Sequence, residues 1–146
     1  MSIKVYLDNC CFNRPFDDQQ HIRIRIETEA KLHIQFKIVQ KEFFLAWSYI
    51  LDYENSMNPL NDRKVIIEKW KSRSYKHVIE NSMILSNAKQ IEKLGIKPKD
   101  ALHIACAIDA NCDYFITTDD GILKKMAACT LITVCNPVEI INLTEE

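Results

Sequence analysis

The run Ile3-Lys4-Val5-Tyr6-Leu7-Asp8-Asn9 alternates Ile3, Val5 and Leu7 with Lys4 and Tyr6, then stops on two polar residues. This is the pattern of a short strand with an acid at its carboxyl end. The run Tyr114-Phe115-Ile116-Thr117-Thr118-Asp119-Asp120 has the same outline, an apolar strand closing on carboxylates. Two more apolar runs, Phe43-Phe44-Leu45-Ala46 and Leu131-Ile132-Thr133-Val134, are also too short for helices.

The intervening segments read as helices. Residues 21–37 carry both a strand-like alternation (Ile22, Ile24, Ile26) and an i+4 repeat (Ile22, Ile26, Ala30, Ile34), and their length with Glu and Lys favours a helix. Ser48 is placed to cap a helix holding Ile50, Leu51 and Glu54, which Asn58-Pro59 ends. Further helices are predicted over 60–72, over about 80–94 before Gly95, from Pro98 through Ala105, and over about 121–128. A loop holding Arg14, Pro15, Asp17 and Asp18 follows the first strand. Strands alternating with helices predict an α/β fold with a mostly parallel sheet.

A length of 146 residues against roughly 150 per domain predicts one domain, 1–146. The composition is 47% hydrophobic and 27% charged with 2 Gly and 4 Pro, which excludes disordered, collagen-like and low-complexity classes. No apolar run approaches the roughly 18 residues of a membrane span, and no signal-peptide pattern opens the sequence, so a soluble, cytoplasmic protein is expected. Six cysteines without a C-x-x-C motif or His at ligand spacing read as reduced packing residues rather than disulfides or a zinc site. The net charge of -1 does not by itself point to nucleic acid.

The informative residues are acids. On a helical wheel Glu54 falls between Ile50 and Leu51, on the apolar face, while Asp52 points to solvent; Asp100 falls on the arc of His103, Ile104 and Ala107. Asp8 and Asp119 follow strands at their carboxyl ends, where open parallel sheets hold their ligand crevices. Any one acid could serve as a helix cap, but like charges gathered in one crevice call for a compensating cation. Oxygen donors of this kind suit Mg²⁺ or Mn²⁺.

Val5-Tyr6-Leu7-Asp8-Asn9, Ser48 with Glu54 six residues on, Lys99-Asp100-Ala101-Leu102-His103-Ile104-Ala105 and Phe115-Ile116-Thr117-Thr118-Asp119 together resemble PIN domains, including VapC-like ribonuclease toxins. The resemblance spans nearly the whole chain with the motifs in order. It implies a parallel sheet with helices on both faces, and an acidic quartet Asp8, Glu54, Asp100 and Asp119 that binds Mg²⁺ or Mn²⁺ and hydrolyses RNA phosphodiesters. Asp120 adjoins Asp119, and either could be the working ligand; the position after the Thr pair favours Asp119, with Asp120 as a reserve or outer-sphere ligand. Asn9 stands where the family often has Thr or Ser. The toxin branch further implies a small antitoxin partner and a homodimer.

Asn9, Arg14, Ser48, His103 and Lys124 are the candidates for substrate contact, with capping the competing role for Ser48 and packing at the core edge for His103. From Asp62 to Lys76 six Lys and Arg face only Asp62 and Glu68, which reads as a solvated helix face or a phosphate track. The alternative function is a metal-binding α/β regulatory or interaction module without nuclease activity, with Asp8 or Asp119 as a phosphoryl acceptor.

Overall fold

A computed structural model describes residues 2–145. Strands β1 (Ile3–Leu7), β2 (Phe43–Ser48), β3 (Lys76–Val78), β4 (Tyr114–Ile116) and β5 (Thr133–Cys135) form one sheet in the order β3-β2-β1-β4-β5, every pairing parallel. Helices are α1 (Asn9–Asn13), α2 (Ile22–Val39), α3 (Tyr49–Ser56), α4 (Asn61–Lys71), α5 (Ser82–Glu92), α6 (Pro98–Asp109), α7 (Asp120–Lys125) and α8 (Pro137–Thr144), with a 3-10 turn at Arg14–Phe16. No helix among the described residues is long and apolar enough to cross a membrane.

The pleat sorts the strand residues between two helical layers. Lys4 pairs with Phe44 and Tyr6 with Ala46, so these share one face, and Tyr6 meets His103 of α6. The opposite face carries Val5, Leu7, Leu45 and Trp47, where Trp47 packs edge-on to Phe12 of α1 and Lys37 of α2 lies over Phe43. Both faces are buried in one apolar cluster, as a parallel sheet requires.

The order in which strands are added to the sheet reverses between β1 and β4, while all strands stay parallel. The chain leaves β1 toward β2 and β3 on one side and returns to β4 and β5 on the other. The crevice at this switch point lies beyond Leu7 and Ile116, directly before Asp8 and between it and Asp119.

Three elements were not legible as such. The chain turns straight into α1 after β1, because Asp8 itself caps the helix by accepting from Asn9 N–H. β3 is a three-residue edge strand whose Lys76 and His77 are exposed, so it has no apolar pattern. α8 opens on a capping box of Asn136 and Glu139 around Pro137. The last strand lies two residues later than Leu131 predicts, since Leu131 is exposed and Cys135 is buried. Residues 21–37 are helical, and Gly95 sits at φ 90 just past α5, where its N–H reaches Glu92 O at 2.9 Å. All six cysteines are free and four are buried.

Candidate metal centre

The cleft at the switch point is about 390 Å³ and is lined by Asp8, Asn9, Cys10, Asn13, Asp17, Glu54, Asp100 and Asp119. Its four expected acids come from four places: the end of β1, the helix after β2, the first turn of α6 and the end of β4.

Asp8 forms the floor and is 6% exposed. Its Oδ1 accepts from Asn9 N–H at 2.8 Å and its Oδ2 from the Thr117 hydroxyl at 2.9 Å. Thr117 Oγ1 also accepts from Asp119 N–H at 3.1 Å, so one hydroxyl ties the first acid to the loop that carries the fourth. Asp119 caps α7, its Oδ1 accepting from Ile122 N–H at 3.1 Å. Its capping role and its place in the cleft therefore coexist.

Glu54 projects from α3 between the apolar face and the cleft, as the wheel predicts. Its Oε1 accepts from His103 Nε2, and Lys99 Nζ lies 3.5 Å from its Oε2. Burial alone would raise this carboxyl, but the hydrogen bond and charge of His103, with Lys99 beyond, hold it below its ordinary value. Asp100 moves the other way: burial and then the Asp8 charge raise it, with Asp119 and Glu54 adding and His103 opposing. Mutual repulsion among carboxylates is thus expressed on Asp100.

This chemistry fits a hard divalent cation. One carboxylate oxygen of Asp8 and one of Glu54 lie within 4.8 Å of each other, and Asp100 and Asp119 supply further oxygens in the same cleft. A cation would offset the burial and the neighbouring negative charges that together lift Asp100.

The remaining candidates are dispersed. Asp120 does not line the cleft: its carboxylate forms a double hydrogen bond with Arg23, both at 2.7 Å, and that partner lowers its pKa. Arg14 is turned to Asp17 at 3.1 Å and to the buried Glu27 at 3.0 Å. Ser48 is buried, capping α3 through Leu51 N–H at 3.2 Å and lying 2.5 Å from the Tyr6 hydroxyl. His103 is fully buried behind Glu54. Asn9 borders the cleft, and Lys124 is exposed on α7.

The basic run is not a continuous track. Arg63 donates to Phe16 O at 3.2 Å and stacks on that ring, and Lys71 pairs with Asp52, which also accepts from Trp47 Nε1 at 2.8 Å. Asp52 is therefore tied down rather than merely solvated. Tyr6, Asn13, Asp17, Lys99 and Thr117 were not singled out as site residues from the sequence, although Tyr6, Lys99 and Thr117 lie within the motifs that carry the resemblance. A second pocket of about 230 Å³, bordered by Asp100 and Asp119, adds Lys97 and Lys125.

No protein-family model matches the sequence, and no curated protein matches it. Solved structures do. The chain is similar to one in the DNA-bound VapBC of Salmonella typhimurium, at 15% identity over 92% of this chain and 98% of that chain, TM-score 0.54. It is similar to one in VapBC2 of Rickettsia felis, bound to a DNA fragment from its promoter, at 14% identity over 92% and 98%, TM-score 0.57. VapBC-1 of nontypeable Haemophilus influenzae gives 15% identity over 94% and 99%, TM-score 0.54. At these identities the similarity establishes the fold, and the PIN-like architecture expected from the sequence is the one found.

Proposed function

We propose that the protein is a divalent-metal-dependent endoribonuclease, the toxin of a toxin–antitoxin pair. The observation that carries this reading is the meeting of Asp8, Glu54, Asp100 and Asp119 in one cleft at the carboxyl ends of β1 and β4. These four would hold Mg²⁺ or Mn²⁺, with Asp119 rather than the Arg23-bound Asp120 facing the ion. The bound ion supplies a Lewis acid and an activated water for hydrolysis of a phosphodiester.

The chain's own contribution is orientation. Asn9 N–H and the Thr117 hydroxyl hold both oxygens of Asp8, and His103 and Lys99 hold those of Glu54, so neither carboxylate must be ordered when a ligand arrives. Lys97 and Lys125 beside the cleft, with Lys124 on the same helix, offer positive charge to the phosphates of an RNA strand. Tyr53 on α3, Met57 at its C-cap and Leu60 in the loop beyond are exposed apolar side chains on the same stretch of chain as Glu54, suited to a small antitoxin that covers the cleft. Ile79 before α5, Met83 on it and Leu94 after it are exposed and offer apolar area for a homodimer. Six unpaired cysteines suit a reducing, cytoplasmic setting.

End-labelled single-stranded RNA incubated with Mn²⁺ or Mg²⁺ tests the proposal. Wild type is expected to cleave internally, and Asp8→Asn and EDTA-treated protein are expected not to. Equal cleavage by wild type and Asp8→Asn refutes it, and phosphoryl transfer to Asp8 from a small phosphodonor without cleavage favours the regulatory-module reading.

A further inference from the structure

Behind the cleft a buried polar chain crosses the core. Ser48 Oγ accepts from Leu51 N–H and lies 2.5 Å from the Tyr6 hydroxyl, which lies 2.6 Å from His103 Nδ1. The far side of the imidazole, Nε2, meets Glu54 Oε1. Ser48, Tyr6 and His103 are each at most 1% exposed, yet only Glu54 of the four borders the cleft.

We propose that His103, oriented by Tyr6 and Ser48, is a positioning residue that donates Nε2–H to Glu54 and so presents that carboxylate to the metal. The proposal rests on the assignment of Glu54 to the metal centre.

The donor assignment follows from the groups themselves. An ionised carboxylate only accepts, so the hydrogen between Glu54 and Nε2 belongs to the imidazole, whether Nδ1 accepts from or donates to Tyr6. A nitrogen that carries this proton has no lone pair for a metal, which places His103 behind the ligand rather than among the ligands. The ring cannot turn away. Tyr6 stacks on Phe115 at 5.4 Å, meets His103 edge-on at 5.7 Å and grips Nδ1 through its hydroxyl. Three strand and helix elements thereby fix one nitrogen, and that nitrogen fixes a flexible Glu side chain near the end of an eight-residue helix. Partners of this kind, standing behind metal ligands, typically change metal affinity or activity about 10- to 100-fold when removed.

The first test is made on the wild-type protein. With ¹⁵N-labelled histidine, long-range ¹H–¹⁵N NMR should show His103, identified by its contact with the Tyr6 ring, with a protonated-type Nε2, both metal-free and with saturating Mg²⁺. An unprotonated-type Nε2 in either state overturns the proposal, as does ¹⁴N coupling from His103 in the pulsed EPR spectrum of bound Mn²⁺. In the second test, Mn²⁺ affinity is measured by titration calorimetry. His103→Leu and Tyr6→Phe, checked for folding by thermal unfolding, should weaken binding about 10-fold or more, and His103→Gln, which keeps an N–H donor, should recover part of the loss. Wild-type affinity in a folded His103→Leu protein overturns the proposal. None of these readouts uses RNA cleavage, so an inactive wild type with the expected NMR and affinity results refutes the nuclease reading alone.

Discussion

Glu27 gives the sharpest test of how the fold supports the cleft. It is 2% exposed on α2, and its carboxyl group meets polar partners from three other side chains. Its Oε2 accepts from Asn136 Nδ2 at 2.6 Å and Arg23 Nε at 3.2 Å, while Arg14 Nη2 lies 3.0 Å from Oε1 as an ion pair not aligned for a hydrogen bond. Arg23 then reaches Thr118 O at 3.1 Å and grips Asp120. One buried carboxylate thus fastens α2 to α8, to the 3-10 turn and to the loop that presents Asp119. Glu27→Ala leaves the Arg14 side chain, only 19% exposed, without its buried counter-charge. Breaking a buried pair this way costs about 3 to 5 kcal/mol. At about 3 °C per kcal/mol for a chain of this size, Tm should fall by roughly 9 to 15 °C. Arg23→Ala should cost much less stability, about 1 kcal/mol or below, because its side chain is 45% exposed and its pairs are screened. It should nevertheless weaken Mn²⁺ binding, because the Asp119 loop loses its clamp. Thermal and urea unfolding measure the first effect and calorimetric titration the second. A Glu27→Ala protein within about 1 kcal/mol of wild type would refute the view that this charge organises the surrounding elements.

Other outcomes follow from the same geometry. Asp119→Asn should weaken Mn²⁺ binding markedly in titration, whereas Asp120→Asn, which alters a group engaged by Arg23 outside the cleft, should leave affinity within a few-fold; the reverse order would make Asp120 the ligand. A Cβ at Gly121 would stand 3.1 Å from Asp119 Oδ1, so Gly121→Ala should lower Mn²⁺ affinity several-fold while Tm changes little, and unchanged affinity would show that Asp119 can move freely. The two shifted carboxyls predict opposite pH slopes. Asp100 is raised, so its ionisation opposes folding as pH climbs from the ordinary carboxylate value through its folded value, and Asp100→Asn should raise the metal-free Tm at neutral pH. Glu54 is lowered, so its contribution is present above its unfolded pKa and lost as pH falls through the lower folded value, and Glu54→Gln should flatten the acid side of the stability curve; pH-dependent unfolding of both variants checks the signs.

Strand ends and helix faces were readable because they are local properties. Asp8 and Asp119 stand beside apolar runs that could only be strands, and the spacing of Glu54 from Ile50 and Leu51 turns it inward whatever packs there. Asp52 shows where that logic stops. Its exposed helix face was correctly read, but its partners, Trp47 and Lys71, lie on a strand and on another helix. Arg14 and Lys124 were chosen by proximity in sequence to an acid, and only Lys124 is free to meet a ligand, because Arg14 is held by Glu27, which had no signal beyond an ordinary helical glutamate.

By itself the amino-acid order determined an alternation of strands and helices, the strand ends that carry acids, and the inward turn of Glu54 and Asp100, since these depend on 2.0- and 3.6-residue periods within single elements. The tertiary structure decided the rest. Strand order set β4 beside β1 and so brought Asp8 and Asp119 together across more than a hundred residues. It also chose Asp119 over Asp120 for the cleft by giving Asp120 to Arg23, and it placed Tyr6 and His103 behind Glu54. Such choices arise where charges and hydroxyls from distant segments are forced into one low-dielectric space and must satisfy one another, and no single segment holds that information.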